Sequence, residues 1–191
     1  MSQTRFLPIA FVSLVLGVLG SAGCSDDVKP VKQVVLRSSL KGGAAGAAKC
    51  GYGPPATWVD VLNGESDAGN ELPVQDGNNN VRIVCRVAKN GDAFTVDAQV
   101  QSSTVGGGTV SIQGRFTASG PQAGIRALFQ KGDGSGTFEQ KDCTAQYTQS
   151  YMGVAGGRVW AELDCPKMVH TGGQDRECAG TANFRFENCD Q

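Results

Sequence analysis

This chain has little of what most catalytic sites are built from. Its 191 residues include a single histidine, His170, and contain neither a C-x-x-C pair nor a G-x-S-x-G nucleophile motif. These gaps argue against a serine or cysteine nucleophile served by a histidine base. They also argue against a zinc site with paired cysteine ligands. We therefore expect His170 to be a solvated loop residue rather than a catalytic base.

An excess of charge of either sign is also lacking, because 17 basic residues face 18 acidic ones and the formal net charge is −1. A chain so balanced has no electrostatic footprint for nucleic acid. The oxygen-rich stretch Asp76–Asn80 could serve calcium, but it lacks the closing glutamate of an EF-hand loop and is interpreted as a turn. We expect no nucleic-acid partner, no metal and no cofactor.

The one long apolar run stands at the N-terminus. Arg5 is the only charge before it, and residues 6–20 read FLPIAFVSLVLGVLG. A basic start, a short apolar stretch and a small-residue exit are the form of a cleaved export signal. The run is shorter than the roughly 20 residues that a membrane-spanning helix needs. An uncleaved anchor is the alternative.

The four residues Ser21-Ala22-Gly23-Cys24 resemble the lipobox of bacterial lipoproteins. The resemblance is limited to this region, and it implies cleavage before Cys24, lipid on that cysteine and anchoring in a membrane of the cell envelope. Ser25 after the cysteine implies delivery to the outer membrane. Ser21 stands where that family usually has leucine. Ser21 and Gly23 also fit an ordinary signal-peptidase site, so a soluble periplasmic or secreted product is the alternative.

The number of cysteines agrees with a lipid on Cys24. Seven is an odd number, and removing Cys24 leaves six that can form three disulfides in an oxidising compartment. Those six are Cys50, Cys85, Cys143, Cys165, Cys178 and Cys189. Cys165 and Cys178 enclose a polar stretch at 166–177, interpreted as a long loop, so we expect them to pair. Cys50 with Cys85 and Cys143 with Cys189 then remain.

The residues after the signal divide into two parts. Residues 24–49 are interpreted as a lipid-anchored flexible tether, because Ser38–Lys49 is dominated by small residues. An edge strand at Lys32–Arg37 is the alternative for part of this segment. The folded domain is expected at 50–191, where apolar and polar residues alternate between glycine-rich turns. This pattern predicts an all-β fold, an antiparallel sandwich or barrel stapled by disulfides.

The clearest alternation runs from Val81 to Val100 and is interrupted at Asn90-Gly91. That dipeptide predicts a hairpin with a two-residue type I′ turn. The turn sets a register in which Cys85 faces Val96 and both point into the core.

Three aromatic residues are candidates for a binding surface: Tyr52, Trp58 and Trp160. Trp160 lies by alternation on the outer face of its strand, where it is either exposed or covered by a loop. Glu162 and Asp164 share that face, and we interpret them as ordinary solvated acids. We therefore expect a non-enzymatic envelope module that binds a protein, glycan or lipid or has a structural role. The alternative is an envelope hydrolase that uses dispersed acidic residues.

Overall fold

The computed structural model describes residues 29–52, 55–63, 71–104, 107–134 and 136–191, and the predicted signal and Cys24 lie outside them. Eleven strands, one short α-helix and a single 3-10 turn at Asn78–Asn80 make up this part of the chain. The strands and the α-helix are β1 (Gln33–Gly42), α1 (Ala47–Cys50), β2 (Ala56–Val61), β3 (Val74–Gln75), β4 (Val81–Asn90), β5 (Ala93–Ser102), β6 (Gly108–Thr117), β7 (Gln122–Lys131), β8 (Thr137–Gln146), β9 (Gly153–Ala155), β10 (Arg158–His170) and β11 (Glu177–Glu187). Within the described residues, no helix is long and apolar enough to cross a membrane.

The strands form one antiparallel sheet that curls into a nearly closed barrel. Its order is β2-β1-β11-β10-β8-β7-β6-β5-β4, with β3 paired to β1 and β9 paired to β10. Alternating residues point inward, and in β11 every second residue from Cys178 to Phe186 is buried. The predicted all-β, barrel-like fold is therefore confirmed.

The barrel interior is filled by side chains. Its largest fully buried side chains include Trp58, Phe116, Phe129, Phe138, Phe184 and Phe186. Phe116 on β6 meets Phe184 on β11 edge to face, with ring centroids 6.4 Å apart, so strands far apart in the sheet order touch through the centre. The interior of the described barrel is thus a packed core, and any ligand has to bind on the outside.

The outer edge of β4 closes on the chain's C-terminal segment. The Asp190 amide donates to the Cys85 carbonyl at 3.0 Å, and the Val87 amide donates to the Asp190 carbonyl at 2.8 Å. A disulfide joins Cys85 to Cys189 beside these bonds. Because an uncovered strand edge can pair with another chain, this seam protects the β4 edge at Cys85–Val87.

Six cysteines form three disulfides as predicted, but each expected pairing is wrong. The bridges are Cys50–Cys178, Cys85–Cys189 and Cys143–Cys165. The expected Cys165–Cys178 bridge fails because β10 continues through a bulge to His170, which leaves only residues 171–176 in the loop. Cys165 instead lies across from Cys143 on the neighbouring strand β8, one step beyond the Asp164–Thr144 pair.

The predicted flexible tether at 24–49 is also wrong for most of its length. Residues 33–42 form β1, which lies between β11 and β2, and Leu36 and Leu40 are fully buried. The glycines after it permit close packing, since a Cβ on Gly42 would overlap the Ala47 backbone. The turn and α1 that follow are held to β11 by Cys50–Cys178. The folded domain therefore begins before residue 50.

The β4–β5 hairpin turns one residue later than predicted. Asn90 pairs with Ala93, so the loop is Gly91-Asp92, and only Gly91 has a positive φ, of 66°. That is the pattern of a type II′ turn rather than a type I′ turn. Cys85 faces Ala98 instead of Val96. Each strand keeps its inward face because the pairing shifts by two residues.

Candidate functional site: a polar depression on the outer face

Two of the three aromatic candidates belong to the core. Trp58 is 1% exposed and meets Phe138 edge to face at 5.7 Å, so it offers no binding surface. Tyr52 is half-buried and packs its ring against Trp58 at 5.3 Å. The prediction of a binding surface is wrong for Trp58, because β2 turns its side chain inward.

Trp160 does point outward, but neighbouring side chains cover it. The Arg185 guanidinium lies 4.8 Å from the indole centroid, and the Tyr151 ring centroid is 4.5 Å away. Gly153 on β9 is the residue paired with Trp160. Tyr151 is 45% exposed and is the aromatic surface presented to solvent at this point.

A small cavity of about 20 Å³ lies beneath Tyr151, bordered by Trp160, Arg185 and Glu187. The Trp160 Nε1–H and Arg185 Nε–H groups are buried there without a protein acceptor. Arg185 is held from its other end, since its Nη2 donates to Glu187 at 2.7 Å. The cavity has room for a single water molecule and is too small for a larger ligand.

The remaining predicted positions have structural roles. His170 is the last residue of β10 and is half-buried, so the prediction of a solvated loop residue is wrong. Its Nδ1 accepts the Gly172 amide proton at 3.1 Å. The Asp76 carboxylate accepts from the Ile83 amide at 2.7 Å, which fits the predicted turn. Among the described residues, no three His, Cys, Asp or Glu side chains are placed to hold a metal ion.

The outer face of β2 is shaped by a bulge. The pairing of β1 with β2 shifts between Arg37–Asp60 and Ser39–Thr57, which leaves an extra residue on β2. The buried Ser38 hydroxyl fills this irregularity, because it accepts from the Val59 amide at 2.9 Å and donates to the Val59 carbonyl at 2.8 Å. Bulges bend a strand and redirect its side chains. Here the bulge places Asp60 beside the outer face of β1.

Five outward polar side chains form a row across five strands. The register aligns Asp60 on β2, Arg37 on β1, Asn183 on β11, Glu162 on β10 and Gln146 on β8. At the usual strand spacing of about 4.8 Å, this row extends across about 19 Å of surface. Glu162, which faces outward as predicted, therefore lies among polar residues from strands that are distant in sequence.

A second row runs beside the first, with shorter side chains. It consists of Thr57, Ser39, Thr181, Asp164 and Thr144. The Ser39 and Thr181 hydroxyls are hydrogen-bonded at 2.9 Å. Except for Thr144, all residues of the two rows line one surface depression of about 490 Å³. That volume lies in the range of small-ligand sites, roughly 300–1,000 Å³.

The depression changes the acidity of one of its carboxyl groups. Burial raises the pKa of Asp60, although a hydrogen bond from the Ser38 backbone and the nearby charges of Arg37 and Lys131 act in the opposite direction. Asp60 therefore ionises less readily than a free carboxyl group. Glu162 and Asp164 are two residues apart on β10, about 6.6 Å along the strand. The depression thus contains carboxyl groups in more than one environment.

Sequence reasoning did not predict this depression. Glu162 and Asp164 were assigned to an outer face, and that orientation fits their places on β10. Arg37 lay in the expected tether, and nothing in the local pattern related Asp60 to Asn183. The arrangement arises from β1–β11 pairing between residues more than a hundred positions apart. No local sequence pattern predicts which residues pair between β1 and β11.

Comparison of the chain with protein-family models, with curated proteins and with solved structures finds no match. Its function therefore has to be inferred from its own residues.

Proposed function

We propose that this protein is exported, is held in a bacterial envelope membrane by lipid on Cys24, and acts there as a non-enzymatic binding or structural module. The observation that carries the proposal is the pairing of the six cysteines after Cys24. Their exposed fractions lie between 0% and 6%, and all six are joined in disulfides. Disulfides form and persist in oxidising compartments such as the periplasm and the cell surface. Export would bring the chain into such a compartment, where its three disulfides can form.

Cys24 follows from the same count. The three disulfides use six of the seven cysteines. The fold therefore requires no disulfide partner for Cys24. The residues before it resemble a lipobox, and Ser25 favours the outer membrane. Both features support lipid attachment at this position. A soluble periplasmic or secreted protein is the alternative product.

The packed interior and the outward depression favour a binding role. An enzyme with a histidine base has little support, because His170 Nδ1 accepts a backbone amide proton in a strand-end turn. The depression instead offers polar groups on rigid strands, which suits recognition.

Intact-mass measurement tests the proposal. The full chain is produced in a lipoprotein-processing bacterium and measured before and after reduction, with Cys24→Ala as the matched control. We expect a mature chain that begins at Cys24, carries acyl mass and gains six hydrogens on reduction. Cys24→Ala should lose the acyl mass and keep the same gain. An unacylated wild-type chain, or a smaller gain of hydrogen, would contradict the proposal.

A hydrolase is the second candidate, because Asp60, Glu162 and Asp164 line one depression. Glycoside hydrolysis needs two carboxyl groups about 5–10 Å apart, one of them with a raised pKa. Release of reducing sugar from cell-wall polysaccharide by the wild type, with loss of that activity in Glu162→Gln, would establish the hydrolase. Absence of turnover at high protein concentration would reject it.

A further inference from the structure

We propose that the outer depression across β2, β1, β11, β10 and β8 is a binding site for a neutral carbohydrate. Arg37, Asp60, Glu162 and Asn183 are the side chains that contact its hydroxyl groups. The inference assigns a ligand class to the binding role proposed above, and it does not depend on the lipid anchor.

The polar groups of this depression are available to a ligand. Arg37, Glu162, Asp164 and Asn183 make no hydrogen bond or ion pair through their side chains to any described residue. The same strand geometry elsewhere on the barrel brings polar side chains together. One such pair is Arg126–Glu139, at 2.7 Å across β7 and β8. The depression therefore keeps hydrogen-bonding capacity that other outer positions use within the protein.

The chemistry of the lining matches hydroxyl groups. A hydroxyl both donates and accepts, so it is best met by a mixture of acceptors and donors. Asp60 and Glu162 supply acceptors, Arg37 supplies donors, and the amide of Asn183 supplies both. Three carboxyl groups and one guanidinium line the depression, which gives a formal charge of −2 when all are ionised.

The same lining disfavours other ligand classes. A phosphate or an acidic glycan meets the excess of carboxylates, while a cationic peptide meets Arg37, which stands between Asp60 and Asn183 in the row. An apolar ligand finds no large exposed apolar side chain here. The exposed large hydrophobic residues of the described chain lie elsewhere: Val31, Leu72, Val84, Tyr151 and Val169.

The floor of the site is rigid before any ligand arrives. Ser39 and Thr181 are hydrogen-bonded to each other, and Ser38 fixes the bulge that positions Asp60. The residues stand on paired strands rather than on loops. A preformed site loses little entropy on binding, which favours a weakly interacting ligand such as a sugar.

A glycan array probed with the mature protein tests the assignment. The array carries neutral, sulfated and sialylated glycans, and the affinity of the best neutral glycan is then measured by calorimetry. We expect binding to neutral glycans, and Asn183→Ala and Glu162→Gln should each weaken it by roughly tenfold. Gln99→Ala removes an exposed amide from the outer face of β5 and should leave the affinity unchanged.

Four results would overturn the assignment of a neutral carbohydrate. Binding restricted to acidic glycans or to oligolysine, no binding at all, or equal affinity of wild type and Asn183→Ala would each do so. Unfolding midpoints and reduction masses of the variants establish that the barrel is intact. If a bound neutral glycan is shortened during incubation, the carbohydrate assignment stands and the non-enzymatic role fails. The mass measurement on Cys24 is unaffected by any of these results.

Discussion

The barrel contains two regions that are built from the same alternating pattern but paired in different ways. In the meander region, β4 to β7, each strand pairs with the next one along the chain, and β4–β5 and β5–β6 hold ten consecutive pairs without a shift. In the crossed region, β1, β2, β10 and β11, the β1–β11 pair joins segments more than a hundred positions apart, and bulges interrupt β1–β2 and β10–β11. Local turns specify the first region, whereas the second also requires the long-range pairing of β1 with β11.

The disulfides follow this difference. None lies within the meander region, and each has at least one cysteine in β8, β10, β11 or the segment that follows β11. Closing a long loop costs conformational entropy, and a covalent bridge removes part of that cost from the unfolded chain. The depression also lies mainly on the crossed region, so two of the three bridges and the proposed binding site share the strands β8, β10 and β11.

Removing the Cys85–Cys189 bridge at the seam should lower stability more than removing the Cys143–Cys165 bridge. The Cys85–Cys189 bridge closes 104 residues, whereas Cys143–Cys165 closes 22. Replacing both seam cysteines by alanine should lower the free energy of unfolding by about 4–5 kcal/mol, against about 3 kcal/mol for the Cys143/Cys165 pair. Urea unfolding of the two double variants measures this difference. A larger loss for Cys143/Cys165 would mean that loop length does not set the contribution.

Adding one methyl group tests the meander region, which has no bridge of its own. A Cβ on Gly108 would overlap the backbone carbonyl oxygen of Gln130, while one on Gly114 would meet only the end of the Ile125 side chain. Gly108→Ala should cost about 1–3 kcal/mol of unfolding free energy, because the backbone cannot move aside without disturbing β6–β7 pairing. Gly114→Ala is the control and should cost less. If both variants lose the same unfolding free energy in chemical unfolding, the close approach of the Gly108 and Gln130 backbones does not restrict side chains at this position.

Tyr147 links the end of β8 to β6 of the meander region and should give the smallest effect. It follows β8, its hydroxyl donates to the Thr117 carbonyl at 2.9 Å, and burial raises its pKa to about 12. The folded state keeps the phenol protonated where the unfolded chain, with a pKa near 10, has begun to ionise. Stability should therefore fall as the pH rises between about 10 and 12.

Ultraviolet titration of tyrosinate measures this shift. Tyr147→Phe should remove the late-titrating group and flatten the alkaline loss of stability. If the wild type and Tyr147→Phe give the same tyrosinate titration curve above pH 10 apart from amplitude, burial does not protect the Tyr147 phenol in solution.

The sequence predicted the regular parts of the fold for a physical reason. Alternation and turn residues act over short distances, so the β4–β5 hairpin was recognised and its core face was correct even though the turn lay one residue later. β8 escaped notice because its buried residues change phase between Gln140 and Cys143, and Gln140 is a polar residue in a core position. Its amide oxygen accepts from the Lys167 backbone at 2.7 Å, which explains its burial.

The crossed region could not be derived in this way. The second half of β1 is not predicted, because the small residues around Gly42 resemble a flexible linker, although in the structure they allow close backbone packing. The cysteine pairings depended on the same unknown register, since fifteen connectivities are possible for six cysteines. The depression requires β2, β1, β11 and β10 to be aligned together. Composition and periodicity carry no information on that alignment.

The early start of the folded chain limits how far the barrel can stand from a membrane. The Val31 carbonyl accepts from Asn188 at 2.8 Å, and Lys32 forms an ion pair with Asp190 at 2.8 Å, so the chain is already fixed at these residues. With lipid on Cys24, residues 25–30 alone would separate the bilayer from the barrel, and six residues reach about 20 Å at most. The expected tether to residue 49 would reach about 85 Å. The protein would thus sample ligands only in the thin layer next to its own membrane.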